Sequence, residues 1–140
     1  MSILLSRETT FIVQGITGRE AVNLTRECLD YGSKVVGGVT PGRKGRDVHG
    51  VPVSDTVAQA VENGIELIVI VTERIPRRDV AQMVELASLR GARIIGPNCL
   101  GMIVPDVVKM GGIGGPAKNA AQAYTRGPIG VISRSGGMTT

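Results

Sequence analysis

A chain of 140 residues has the length of one domain and can bury a core without disulfide or metal support. Its apolar fraction of 42% is ordinary, but one Phe, two Tyr and no Trp leave the core to Val, Ile, Leu and Ala, and leave few rings on which single-stranded nucleic acid could stack. A net charge of +4 is modest for a nucleic-acid binder and better fits a local basic patch for a small anionic ligand.

Cys28 and Cys99 lack zinc-type or CxxC spacing, which points to reduced thiols in a cytoplasmic protein and to no metal site. MSILLSRETT is too short and too soon charged for a signal peptide. No apolar run approaches about 18 residues, so no membrane span is expected.

The stretch Thr9 to Glu20 opens the pattern: Phe11, Ile12 and Val13 read as a buried strand, and Gly15 and Gly18 bracket a turn. A helix follows from Arg19 to Tyr31, with Val22, Leu24, Cys28 and Leu29 at helical spacing. Such a turn leaves backbone N–H groups unpaired at the helix start, where partial positive charge favours a phosphate. The spacing is shorter than a full GxGxxG fingerprint, so a plain strand-to-helix turn is the alternative at this point.

Tyr31-Gly32 closes the helix, and Lys34 to Thr40 reads as a second strand. The continuous apolar character of both strands predicts an α/β fold, a parallel sheet with helices on both faces. Pro41-Gly42 breaks the strand and opens the loop Arg43 to Asp47. An acid at the end of the second strand would hold the ribose hydroxyls of NAD, whereas cations there accommodate a ribose phosphate. Arg43 and Lys44 stand there without an acid in sequence, which disfavours NAD and leaves NADP and coenzyme A, with a solvated basic loop tip as the alternative.

Val48 to Val53 reads as a short extended piece, with His49 between apolar residues as a structural histidine. Ser54 or Asp55 is expected to cap a helix from Thr56 to Glu62, which Asn63-Gly64 closes. Ile65 to Val71 is a β-branched strand ending in Thr72 and Glu73. The carboxyl ends of parallel strands face the ligand crevice, so Thr72 and Glu73 are candidate contacts, with strand-end capping as the alternative.

A helix from Arg77 to Arg90 should bury Val80, Met83, Val84 and Ala87. Ala92 to Gly96 makes another strand, broken at Pro97-Asn98-Cys99. Gly101 to Arg126 is glycine-rich and reads as a connection carrying a short helix at Lys118 to Tyr124. Ile129 to Ile132 restarts a strand, followed by the turn Ser133 to Gly137.

In this order GITGRE, YGSKVVGGVTPGRKG, LIVIVTERIP, IIGPNC and GVISRSG resemble the α subunit of succinyl-CoA synthetase and, more broadly, the nucleoside-diphosphate-forming acyl-CoA ligases. The resemblance covers nearly the whole chain. KMGGIGGPAKNAAQAY and SRSGGMTT are more similar to the corresponding parts of ATP-citrate lyase and citryl-CoA synthetase.

The resemblance implies a Rossmann-like CoA-binding domain over residues 1–100, a glycine-rich connection over 101–127, and over 128–140 the first strand and turn of a truncated ligase domain. It implies an acid–CoA ligase that joins a carboxylic acid to CoA at the expense of a nucleoside triphosphate, this chain binding CoA and being inactive alone. A partner β subunit with the nucleotide site and an oligomeric assembly go with it. A nucleotide-binding regulatory module or NADP-type domain is the alternative. Carried over by motif, Thr17, Gly18, Arg19 and Glu20 hold CoA phosphate. Pro41 and Arg43 meet the nucleotide end, Val71, Thr72, Glu73 and Asn98 follow the cofactor, and Ser133, Ser135 and Gly136 form a phosphate-facing helix start.

Two departures from the family matter. About one βα unit is missing between Val57 and Gly64, so either the following strand pairs differently with the first or the crevice is incomplete. The family's phosphorylated histidine lies far downstream, and His49 is not at its position.

Overall fold

A computed structural model describes residues 4–62 and 65–135. The expected helix end at Asn63-Gly64 lies outside them. Strand β1 (Thr10–Gln14) is followed by helix α1 (Arg19–Asp30) and strand β2 (Lys34–Val39). Phe11 and Ile12 are both buried but belong to different core clusters, one on each face of the sheet. That is the two-sided burial which a continuous apolar run demands. Helix α1 stops at Gly32, whose φ of 88° is left-handed; Gly32 N–H donates to the Leu29 carbonyl and Ser33 N–H to the Cys28 carbonyl.

The extended piece after the basic loop is a hairpin, β3 (Asp47–Val48) and β4 (Val51–Ser54). Its two turn residues, His49 and Gly50, have φ of 55° and 81°, the paired left-handed geometry of a tight hairpin turn. His49 Nε2 donates to the Val22 carbonyl of α1 at 3.1 Å, a structural role as expected. Helix α2 (Val57–Glu62) is capped by Thr56, whose Oγ1 accepts from Gln59 N–H at 3.2 Å. Ser54 and Asp55 were the expected caps; the Asp55 carboxylate instead serves the basic loop.

Strand β5 (Leu67–Val69), helix α3 (Arg77–Leu89) and strand β6 (Arg93–Ile95) complete a six-stranded sheet of order β3-β4-β2-β1-β5-β6. All its pairings are parallel except β3–β4, giving the Rossmann-like α/β fold expected. β5 pairs directly with β1, Ile12 opposite Ile68 and Val13 opposite Val69. The first of the two outcomes of the missing βα unit is therefore the one realised: the sheet closes over the gap and stays continuous.

On one face α1 covers Phe11, Val35, Leu67 and Val69; on the other Ile12, Ile68 and Ile70 pack with Ala87 and Met83 of α3. Val84 was expected on that buried face but is 52% exposed. The buried stripe of α3 is narrow, and Val84 lies about 100° around the helix from Met83.

The glycine-rich segment contains a second hairpin that the sequence does not announce, β7 (Gly101–Val104) and β8 (Val108–Gly111), followed by helix α4 (Ala117–Ala123). Val108 and Met110 are buried in the α1-side core. The Ser33 hydroxyl donates to the Lys109 carbonyl at 2.6 Å and accepts from Lys109 N–H at 2.9 Å. The Lys109 side chain is fully buried, with Nζ donating to the Gly111 carbonyl at 3.1 Å and standing 3.5 Å from Glu27 Oε2. A buried ammonium needs such partners, so this pair ties the hairpin to α1.

Residues 129–132, expected as a strand, have no ladder partner among the described residues, and Ile129, Val131 and Ile132 are exposed. Without a neighbouring edge their backbone groups have nothing to pair with except water.

The turn after β1 rests on β2 through one close approach. Ile16 is fully buried, and a Cβ on Gly38 would meet Ile16 Cβ at 2.7 Å and overlap two further Ile16 carbons. Gly38→Ala is expected to destabilise the fold by about 1–3 kcal/mol through overpacking. Urea unfolding checks it: the midpoint falls with the slope unchanged, and an unaltered midpoint contradicts this packing.

Candidate functional site

The first turn of α1 leaves backbone donors open. Gly18 at its N-cap is extended (φ −68°, ψ 148°) and provides no side-chain cap. The Gly18 carbonyl accepts from Val22 N–H at 2.9 Å, so the amides of Arg19, Glu20 and Ala21 precede any intrahelical partner. Arg19 and Glu20 are exposed. The Glu20 carboxylate suits the helix start electrostatically but repels a phosphate, so its contribution to an anion is its amide.

Thr17 is held rather than free. Its Oγ1 donates to Thr40 Oγ1 at 3.2 Å and its N–H donates to the same oxygen at 3.4 Å, while Thr40 Oγ1 donates to the Val39 carbonyl. Gly15 N–H also donates to the Val39 carbonyl, at 2.7 Å. The turn after β1 is thus fastened to the end of β2, and Thr17 positions it.

At the end of β2, Pro41 and Arg43 are exposed, beside Lys44. The loop owes its shape to Asp55, whose Oδ1 accepts from Arg43 N–H at 3.1 Å and Lys44 N–H at 3.0 Å. An acid absent from the strand end in sequence is therefore supplied in space by the end of β4, but its oxygen is engaged by the backbone. Neither Arg43 nor Lys44 forms an ion pair among the described residues.

Val71, Thr72 and Glu73 follow β5 beside the β1 turn, with Val71 half-buried and the other two exposed. Asn98 after β6 is tied to them: its N–H donates to the Thr72 carbonyl at 3.0 Å. Gly96 permits this approach, because a Cβ there would collide with the Ile70 carbonyl. The structure so gathers Thr17 to Glu20, Pro41, Arg43, Val71 to Glu73 and Asn98 along one edge, the carboxyl ends of β1, β2, β5 and β6. Ser133 and Ser135 are hydrogen-bonded to each other. They form a local turn, Ser135 N–H donating to Ser133 Oγ at 3.1 Å; Gly136 and the residues that would continue a helix from it lie outside the described residues.

A cavity of about 180 Å³ opens between α1 and the β1–β5 pair, lined by Glu20, Val71 and Thr72 and by residues not among the expected ligand contacts: Phe11, Val13, Gln14, Leu24, Cys28 and Gly111 among them. A run of side chains on one strand face and one helix face would have suggested Gln14 and Leu24, had the direct β1–β5 pairing been known. Burial pushes the Cys28 thiol above its ordinary pKa, against opposing pulls from the Lys109 charge and the Gly111 backbone. Among the described residues no cluster of His, Cys, Asp and Glu could hold a metal, and no helix is long and apolar enough to cross a membrane.

Residues 6–95 match the CoA binding domain family. The chain is 37% identical to the α subunit of an ADP-forming succinate–CoA ligase of Aquifex aeolicus, over 99% of this chain and 52% of the relative. It is 36% identical to the same subunit of Methanothermobacter thermautotrophicus, over 98% and 53%. The chain thus spans about half the length of the curated relatives it matches. The first match runs over 166 positions against a chain of 140 residues, so at least 26 of them have no counterpart here, in keeping with a missing βα unit. In fold, the chain is similar to ATP citrate lyase of Methanothrix soehngenii, solved with citrate and coenzyme A, with a TM-score of 0.70 at 20% identity over 97% of this chain and 28% of that one.

The raised Cys28 pKa carries a sign. Its stabilising contribution is complete below the unfolded thiol value of about 8.5 and is lost as pH rises through the higher folded value. Thermal unfolding of the wild type should therefore fall more steeply from about pH 8 to about pH 10 than that of Cys28→Val. Parallel curves contradict the burial of this thiol.

Proposed function

Since the chain belongs to the CoA binding domain family, we propose that it is the CoA-binding portion of an acid–CoA ligase of the succinate–CoA ligase type. The observation that carries this reading is the alignment, along one sheet edge, of the open amides at the start of α1 with Arg43 and Lys44 at the end of β2, cations that form no ion pair among the described residues. The amides take the pyrophosphate of CoA, and Arg43 takes the phosphate on its ribose. Thr17, Gly18, Arg19 and Glu20 form the first contact, Pro41 and Arg43 the second, and Val71, Thr72, Glu73 and Asn98 flank the remainder of the ligand.

In the complete enzyme this part binds and orients the thiol nucleophile, and the gain is one of proximity. The described residues hold no group placed for phosphoryl transfer, so this chain alone binds CoA without turning over. We assign residues 1–100 to the CoA-binding domain, 101–127 to a connection that docks on it, and 128–140 to the start of a ligase domain, with Ser133, Ser135 and Gly136 there to face a phosphate. A β subunit carrying the nucleotide site completes the assembly, in the cytoplasm, where both thiols stay reduced.

Calorimetry tests the reading. Wild-type protein binds CoA and desulfo-CoA alike, and Arg43→Ala weakens CoA by about tenfold while leaving dephospho-CoA unchanged, the loss of one charge-assisted contact. Absence of CoA binding at millimolar ligand to folded protein overturns the proposal. Tighter binding of NADPH than of CoA transfers the site to an NADP-type module.

A further inference from the structure

Asp55 is not among the expected ligand contacts, and its place is set from two sides. Thr40 N–H donates to the Ser54 carbonyl at 2.9 Å, laying the end of β4 beside the end of β2, and Asp55 N–H donates to Gln59 Oε1 of α2 at 3.3 Å. From there a single carboxylate oxygen, Oδ1, accepts both Arg43 N–H and Lys44 N–H. Charge alone would favour another arrangement. A carboxylate beside a guanidinium and an ammonium group ordinarily pairs with the charged heads, yet no ion pair joins Asp55 to Arg43 or Lys44.

The loop has little else to hold it. Its own bonds are neutral turns near the long end of the range, Arg43 N–H to the Thr40 carbonyl and Arg46 N–H to the Arg43 carbonyl, both at 3.2 Å. Hydrogen bonds to an ionised acceptor are the stronger kind, so the two from Asp55 dominate the loop's conformation.

We infer that Asp55 is a positioning residue for selectivity at the ribose phosphate: its carboxylate takes the backbone of Arg43 and Lys44, and so aims the Arg43 guanidinium without pairing with it. The inference rests on the CoA reading above and adds to it the residue that sets discrimination at the nucleotide end of the ligand. A residue that acts through Arg43 affects only ligands carrying the phosphate that Arg43 takes. Its effect is bounded by what Arg43 supplies. A residue that merely stabilises the fold would weaken every ligand alike. The requirement is for an acceptor at the Oδ1 position, which the carboxamide oxygen of Asn also provides.

The test measures CoA and dephospho-CoA by calorimetry on wild type, Asp55→Ala, Asp55→Asn, Arg43→Ala and the double variant of Asp55→Ala with Arg43→Ala. Asp55→Ala is expected to weaken CoA by about fivefold, less than the loss of Arg43 itself, and to leave dephospho-CoA unchanged. Asp55→Asn stays within about twofold of wild type for both ligands. In the Arg43→Ala background the further change Asp55→Ala leaves the ratio of the two affinities where it was, because the two residues act as one unit. If Asp55→Ala does not fold, Asp55→Ser replaces it, since its hydroxyl ends one atom short of the Oδ1 position. Equal weakening of both ligands in Asp55→Ala, an unchanged CoA affinity there, or Asp55→Asn as weak as Asp55→Ala overturns this role while the CoA reading stands. Wild type that binds neither ligand overturns both.

Discussion

Ile12 and Val13 of β1 pair in parallel with Ile68 and Val69 of β5, and this short ladder decides where everything along the carboxyl edge of the sheet lies. Without it the sheet would end at β1, leaving Ile12 and Phe11 half-covered and the end of β5 remote from the glycine turn. With it, the apolar side chains of both strands are buried on two faces, and Val71 and Thr72 come to rest beside Gly15 and Glu20. Direct pairing also closes the gap left by the missing βα unit. Connection α2 still runs from β4 back across the sheet to reach β5, so the crossover logic of parallel sheets is preserved with one unit fewer.

A second constraint fixes the other half of the site. Ile16, inside the glycine turn, is buried against Gly38 of β2, and Thr17 is hydrogen-bonded to Thr40 a residue pair further on. The turn therefore cannot move independently of the basic loop that follows β2. Asp55 adds the third fastening by holding the amides of Arg43 and Lys44, which leaves both side chains directed by a shaped loop. The open amides of α1 and the cations of the loop are thus set in place by packing and hydrogen bonds before any ligand arrives, which is what preorganisation requires.

Much of this was legible in the chain. Continuous apolar runs gave buried parallel strands, and Gly32 and Gly91 closed helices where φ turns positive. What the sequence hid was spatial. Asp55 is 12 residues from Arg43 and reads as a helix cap until β4 is laid beside β2. The β7–β8 hairpin is written in glycines that resemble a linker, yet Gly101 and Gly111 are there because the two backbones approach too closely for a Cβ. Lys109 would be taken for a surface residue; its burial is intelligible only once Glu27, Ser33 and Gly111 surround it.

The account stands or falls on the ladder between β1 and β5. Solution NMR of the protein measures it directly, through nuclear Overhauser contacts between the backbone protons of Ile12 and Val13 and those of Ile68 and Val69. Cross-strand contacts in parallel register, together with slow exchange of the amides between the two strands, are the predicted result. Contacts in another register, or none between these strands while β1 and β2 remain paired, would contradict it.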